Sequence, residues 1–168
     1  MAGRVDVLNE SNYLLSVEKV RSLVAAVLAA ESVQGTVSVA FITEPCMADL
    51  NQRYRGLNEP TDVLSFAEID IEESTDFLAS EGLSLEYGES KGEETEWGEI
   101  AVCPVVVERY ATEDGNALER QMAWTLLHGT LHLLGYDHET DQGEMRRREQ
   151  ELLEQMSALF AGLCFSAS

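Results

Sequence analysis

Residues 117–138 read "ALERQMAWTLLHGTLHLLGYDH" and combine a long helical pattern with all three histidines of the chain. Apolar side chains recur at helical spacing as far as Gly135, the residue type that most often closes a helix in the left-handed conformation. Asn116 and Glu119 lie three residues apart and are typical of a capping box, so they predict the start of this helix. The helix and the turn after it therefore carry all three histidines.

The three histidines have the spacing of a metal site. His128 and His132 are four residues apart, so their Cβ atoms lie about 5–6 Å apart on one helical face. Gly135 then turns the chain and allows His138 to return toward them. Three imidazole nitrogens that leave a fourth position for water are typical of a catalytic zinc site, which we therefore predict at the C-terminal end of the long helix.

Two alternatives remain at this stage. The histidines can be unrelated side chains on an amphipathic helix and its exit loop. Nickel, cobalt or copper also accept imidazole ligands, and we favour one Zn²⁺ per chain because it suits imidazole and needs no redox partner.

Gly129 distinguishes this motif from that of a protease. The spacing HxxxHxxGxxH is that of the metzincin proteases, in which a glutamate follows the first histidine and acts as the general base. Gly129 has no side chain that could act as this base. Peptide hydrolysis also needs a proton delivered to a poor amine leaving group, so the missing glutamate argues against a protease. Phosphodiester cleavage requires instead a nucleophile and cations around the phosphate, so an arginine near the metal would serve.

Outside the long helix the pattern predicts an α/β (α+β) fold, with one small mixed sheet of about four strands packed with about five helices. Short alternating segments predict strands at 4–10, 36–43, 62–66 and 98–103. Helical spacing predicts further helices at 16–31, with Ser16 as its N-cap, and at 45–55, 104–113 and 141–160. The last residues read as a frayed end. We interpret 1–168 as one domain, a size that buries a sufficient core.

The net charge of −20 is unevenly distributed. Twelve acidic residues and a single lysine lie between Glu68 and Glu99, so we interpret 67–97 as an acidic surface insertion, either a solvated loop or a charged lid. Strong acidity argues against a polyanionic partner, because nucleic-acid binding relies on Lys and Arg. The arginines lie elsewhere in the chain, so a locally basic site is still compatible with the sequence.

Cysteine usage and hydropathy indicate a reduced, cytoplasmic setting without a membrane. Cys46, Cys103 and Cys164 are odd in number and form no CxxC pair, so we expect reduced thiols in the core. The longest apolar run, residues 23–30, is far shorter than the roughly 20 residues of a membrane span.

Two motifs in the expected order resemble one family. "HGTLHLLGYDH" at 128–138 and "LNQRYRGLNEPTDVLSF" at 50–66 are similar to the signature and the arginine-bearing loop of the YbeY family of bacterial endoribonucleases, and the likeness extends over about 6–155. The resemblance implies a metal-dependent, single-strand-directed endoribonuclease of 16S rRNA 3′ end maturation and ribosome quality control. RNA and the small ribosomal subunit or its assembly proteins would be the partners, and Arg55 would orient a phosphate near the metal.

Several further residues have two interpretations. Arg55 can bind phosphate or can pair with Glu59 or Asp62. Asp137 can orient a ligand imidazole, accept a proton, or serve as a turn residue. A last group can line the cleft as substrate-binding residues or can have turn and strand-start roles: Thr61, Asp62 and Ser65.

One aromatic residue and one basic run also have two interpretations, and the overall function has two alternatives. Trp124 fits a core aromatic better than a base-stacking residue, and Arg146–Arg148 fit a solvated face that pairs with nearby glutamates better than a phosphate-binding patch. The alternatives to the nuclease are a zinc metalloprotease and a non-catalytic ribosome-assembly factor.

Overall fold

A four-stranded mixed sheet supports the molecule, with strand order β1-β3-β5-β4. The computed structural model describes residues 3–67 and 95–165. The strands within these residues are β1 (Arg4–Asn9), β2 (Leu14–Leu15), β3 (Thr36–Phe41), β4 (Val63–Ala67), β5 (Glu96–Val102) and β6 (Cys164–Phe165). The α-helices there are α1 (Val17–Ala30), α2 (Glu44–Arg55), α3 (Pro104–Asp114), α4 (Leu118–Leu133) and α5 (Glu144–Gln155), followed by a 3-10 turn at Ser157–Leu159. The predicted fold class is confirmed.

The direction of the strands follows from their connections. β1 and β3 are parallel because α1 crosses between them, and β3 is also parallel to β5. Among the described strands, β4 lies at one edge of the sheet and runs antiparallel to β5, with Ser65 opposite Ile100. The predicted insertion joins these two neighbours: its ends belong to β4 and β5, and residues 68–94 lie outside the described part of the chain.

Helix α4 packs closely against the sheet. Its buried side chains include Met122, Leu126 and Leu131 in the main hydrophobic core. A Cβ added at Gly129 would lie 2.9 Å from Ile100 Cγ2 and 3.2 Å from Val63 Cγ2. Glycine at position 129 therefore lets α4 pack closely against β4 and β5 in the part of the helix that carries His128 and His132.

The two ends of α4 differ from each other in how well they were predicted. Its N-cap is Ala117 rather than Asn116, because the Asn116 amide donates to Gln121 Oε1 and Glu119 accepts the backbone N–H of Gly162. The capping-box prediction is therefore wrong. At the C-terminus Gly135 has φ +104°, and the N–H of Tyr136 donates to the Leu131 carbonyl at 3.1 Å, as the glycine predicted.

Residues 161–165 are more ordered than predicted. β6 pairs antiparallel with β2, with Leu15 opposite Cys164. The final helix ends at Gln155 instead of continuing to Phe160, and the chain then turns so that Leu163 becomes fully buried. Burial of this apolar side chain holds Cys164 and Phe165 near the core, which is why they pair with β2 instead of fraying.

The cysteines divide into two kinds. Cys103 and Cys164 are buried and reduced as predicted, and burial raises the pKa of Cys164 to about 12. Cys46 is exposed on α2, so its expected place in the core is wrong. Among the described residues, no helix has both the length and the apolar character that crossing a membrane requires.

Candidate metal centre

One cleft brings together the residues that the sequence singled out. It has a volume of about 510 Å³ and lies between α4, the loop after it, strand β4 and the end of α2. The predicted site residues that line it are Arg55, Thr61, Asp62, Ser65, His128, His132, Asp137 and His138. Segments far apart in sequence therefore form a single concave site.

The three histidines form a compact group at this cleft. One ring nitrogen from each of His128, His132 and His138 lies within 4.8 Å of the other two. The ring centroids of His128 and His132 are 4.7 Å apart, as expected for positions i and i+4, and His138 lies 5.2 Å from His132. These residues can hold one metal ion.

The loop that carries His138 is fixed by hydrogen bonds. After Gly135, the Tyr136 hydroxyl donates at 2.9 Å to Oε2 of Glu31, the residue that follows α1. The Asp137 carbonyl then accepts the N–H of Asp141 at 3.0 Å, which closes a turn around His138. The third histidine is therefore held near the other two by the chain's own contacts.

Glu149 on α5 contacts the first histidine. One carboxylate oxygen lies 2.6 Å from His128 Nδ1, and the other accepts the Trp124 Nε1–H at 3.2 Å. Since Nδ1 is engaged, Nε2 is the atom of His128 that remains for a metal. A carboxylate in this position orients the ligand ring and raises its basicity.

The chemistry of this donor group fits a divalent metal. Burial lowers the pKa of His132, and the neighbouring His128 and His138 lower it further, so the neutral imidazole that binds metals is favoured. Three imidazoles, one of them oriented by a carboxylate, make a ligand set with an open fourth position.

Arg55 is the last residue of α2 and is exposed at the rim of the cleft. Gly56 ends the helix there with φ +72°. Within residues 3–67 and 95–165, Arg55 has no carboxylate within ion-pair distance, whereas Arg53 pairs with Asp49 at 3.3 Å. The alternative pairing of Arg55 with Glu59 or Asp62 is therefore absent from the structure.

The candidates on the β4 wall bond mainly to nearby backbone. Asp62 Oδ1 accepts the N–H of Val63 at 2.8 Å and the Thr61 hydroxyl at 3.2 Å. Burial raises the pKa of Asp62, although these hydrogen bonds oppose the shift. The Ser65 hydroxyl donates to the Gly129 carbonyl at 3.0 Å. These side chains border the cleft, and their contact with a substrate stays a prediction.

Asp137 lines the cleft and also has a turn contact. Its Oδ1 accepts the N–H of Glu139 at 3.0 Å. The carboxylate that contacts a ligand imidazole in the structure is that of Glu149. A proton-accepting role for Asp137 remains a prediction.

The sequence interpretation missed Glu149 and underestimated Trp124. Glu149 is one of the glutamates that a solvated basic run would pair with, but its side chain is buried. Its spacing from Met145, Leu152 and Leu153 was the available signal, because a glutamate at that position lies on the apolar face of the helix. Trp124 packs against the core as predicted, and its ring also stacks on His128 at 4.9 Å.

The structure also explains why the protease base is missing. The Cβ direction of Gly129 points at Ile100 and Val63, so a glutamate there would collide with the sheet. The position after the first histidine has a packing role in this fold.

Comparisons with known proteins identify the family of this chain. The family model described as endoribonuclease YbeY matches residues 6–157. The chain is similar to the endoribonuclease YbeY of Shouchella clausii, with 40% identity over 88% of this chain and 91% of that protein. It is also similar to that of Pelotomaculum thermopropionicum, with 39% identity over 71% of each chain.

A solved structure has the same fold. The solution structure of TM1509 from Thermotoga maritima matches with a TM-score of 0.58 and 28% identity, over 92% of this chain and 89% of that one. With the family model covering most of the chain, the histidine-lined cleft of this protein is that of a member of the endoribonuclease YbeY family.

Proposed function

We propose that this protein is a hydrolase that cleaves internal phosphodiester bonds of single-stranded RNA with one Zn²⁺ per chain. One observation carries the proposal: three histidine nitrogens lie within 4.8 Å of one another in a cleft that Arg55 also lines. The relatives named endoribonuclease YbeY support the substrate class.

Each part of the cleft has a distinct role in this reaction. His128, His132 and His138 hold the ion, and Glu149 orients His128. When bound, the ion supplies a Lewis acid for the phosphate. The Arg55 guanidinium binds the non-bridging oxygens, where negative charge increases as the bond breaks.

Other residues of the cleft position the RNA and move protons. Thr61, Asp62 and Ser65 border the place where the sugar-phosphate chain lies. Asp137, next to His138, accepts the proton of the attacking group. The ends of the product identify that group, because a 2′,3′-cyclic phosphate forms only by attack of the RNA 2′-hydroxyl.

We place the activity in 16S rRNA 3′ end maturation and ribosome quality control in the cytoplasm, with the small ribosomal subunit or its assembly proteins as partners. The resemblance of the two sequence motifs supports this role. The net charge of −20 adds a physical requirement: RNA binding must depend steeply on salt or use the basic surface of a partner.

The test combines metal analysis with RNA cleavage. The purified protein is expected to contain about one zinc per chain. Cleavage of a single-stranded RNA should be lost in His132→Ala and reduced in Arg55→Ala, while Arg53→Ala, two residues away and paired with Asp49, should behave as wild type. Full cleavage by both His132→Ala and Arg55→Ala would disprove the proposed site.

A further inference from the structure

A second cleft adjoins the metal centre. It has a volume of about 370 Å³, within the range of roughly 300–1,000 Å³ that is usual for small-ligand sites. Asp62 and Trp124 line both clefts, so the two clefts adjoin at these residues. The other residues that line the second cleft are Tyr110, Asp114, Asn116, Arg120, Gln121 and Leu153.

The distribution of free cations singles out Arg120. In the described part of the chain, most Lys and Arg side chains contact a carboxylate or a backbone carbonyl: Arg4, Lys19, Arg21, Arg53, Arg109 and Arg148. The cations that have neither contact within residues 3–67 and 95–165 are Arg55, Arg120, Arg146 and Arg147. Arg55 lines the metal cleft and Arg120 lines the second cleft.

The position of these two arginines matters because the protein is so acidic. With a net charge of −20, the protein as a whole repels a polyanion. A guanidinium that pairs with no carboxylate of the described residues is the group there most able to bind a phosphate. Arg55 and Arg120 therefore indicate two phosphate positions, one in each of the adjoining clefts.

The interior of the second cleft suits a nucleobase better than a phosphate. The rings of Tyr110 and Trp124 offer apolar surface, and the amides of Asn116 and Gln121 offer hydrogen-bonding groups. The carboxylates of Asp62 and Asp114 also line the cleft. They would repel a phosphate in the interior, whereas they can accept hydrogen bonds from a base.

We propose that the second cleft is a subsite for the nucleotide next to the scissile phosphate, with the base inside the cleft and its phosphate on Arg120. This inference rests on the proposed function. The RNA strand then runs from Arg55 across the histidines, past Asp62 and Trp124, to Arg120. Arg120 acts in substrate binding, apart from the bond that breaks.

The test compares Arg120→Ala with Arg146→Ala on a single-stranded RNA of about ten nucleotides, both in the zinc-loaded protein. Arg146 is the matched control, because it is exposed, has no ion pair within the described residues and lies outside both clefts. The KM of Arg120→Ala should rise about fivefold with kcat retained, as expected when an exposed charge contact worth about 1 kcal/mol is removed. Arg146→Ala should match the wild type.

Salt dependence gives a second readout that a structural role of Arg120 would not change. Loss of one phosphate contact should make the slope of log(kcat/KM) against log[salt] shallower by about 0.7. Two further substrates each lack one base, on one or the other side of the cleavage position. The wild type should have a raised KM for one of these two abasic RNAs.

The outcomes separate the two proposals. If the wild type cleaves RNA but Arg120→Ala has the KM and salt slope of Arg146→Ala, the subsite is disproved and the nuclease remains. An unchanged KM for both abasic RNAs would exclude the base from the cleft and also overturn the subsite. If the wild type cleaves no RNA, the proposed function fails and the subsite fails with it.

Discussion

The two walls of the metal cleft are built in different ways. On the α4 wall, His128 is held by Glu149, Glu149 is held in turn by Trp124, and Gly129 fits tightly against the sheet. On the opposite wall, Arg55 is exposed at the end of α2 and has no ion pair among the described residues. This difference fits the proposed roles: groups that hold an ion would need to be positioned in advance, whereas a group that binds a transient substrate would need to be without a partner in the described residues.

This comparison makes the α4 wall the place of the largest effects. His132→Ala removes the half-buried middle ligand, so zinc content should fall well below one per chain and RNA cleavage should decrease on the order of 10³-fold or more. Zinc analysis and single-turnover cleavage measure the two effects. Zinc content near one per chain in this variant would show that the ion is held elsewhere.

The second prediction concerns the carboxylate behind the ligand. Glu149→Gln keeps the shape of the side chain but removes the charge that faces His128 Nδ1, so zinc affinity should fall about 10- to 100-fold. Competition with a chromophoric chelator measures the affinity without using activity. The matched control is Glu151→Gln on the same helix, whose carboxylate pairs with Arg148 and which should bind zinc as wild type.

Gly129→Ala tests the packing of α4 against the sheet. The added methyl would lie 2.9 Å from Ile100 Cγ2, so the free energy of unfolding should decrease by about 1–3 kcal/mol. Urea denaturation of the metal-free protein measures this change. The double variant Gly129→Ala with Ile100→Val should recover part of it, and a loss unaffected by Ile100→Val would place the clash elsewhere.

The smallest expected effect on stability belongs to the opposite wall. Arg55→Ala removes an exposed side chain without an ion pair in the described residues, so the free energy of unfolding should change by less than about 0.5 kcal/mol. Cleavage should still decrease in the same preparation. Clear destabilisation by Arg55→Ala would mean that both walls are structural, and the contrast between them would disappear.

The sequence was sufficient for most of the local structure. Ser16 was predicted as the N-cap of α1, and its side chain accepts the N–H of Lys19. The end of α4 at Gly135 followed from the residue type alone. The N-terminus of α4 was wrong because Glu119 is bonded to Gly162, a residue that lies far along the chain. Local patterns contain no information about such distant partners.

In the site, too, some features follow from local sequence and others from distant contacts. The spacing of His128 and His132 determines that both face one side of a helix, since helical geometry repeats every 3.6 residues. Gly135 allows the chain to turn so that His138 can join them. The sequence by itself therefore determined which three histidines can hold a metal ion.

Only the tertiary structure decided what surrounds these ligands. Glu149 contacts His128 because α5 packs against α4, and Gly129 is required because α4 packs against β4 and β5. The cleft that Arg55 lines and the second cleft at Arg120 likewise form where separate elements meet. Burial and long-range contacts arise from the packing of distant segments, and helical periodicity along one segment does not specify them.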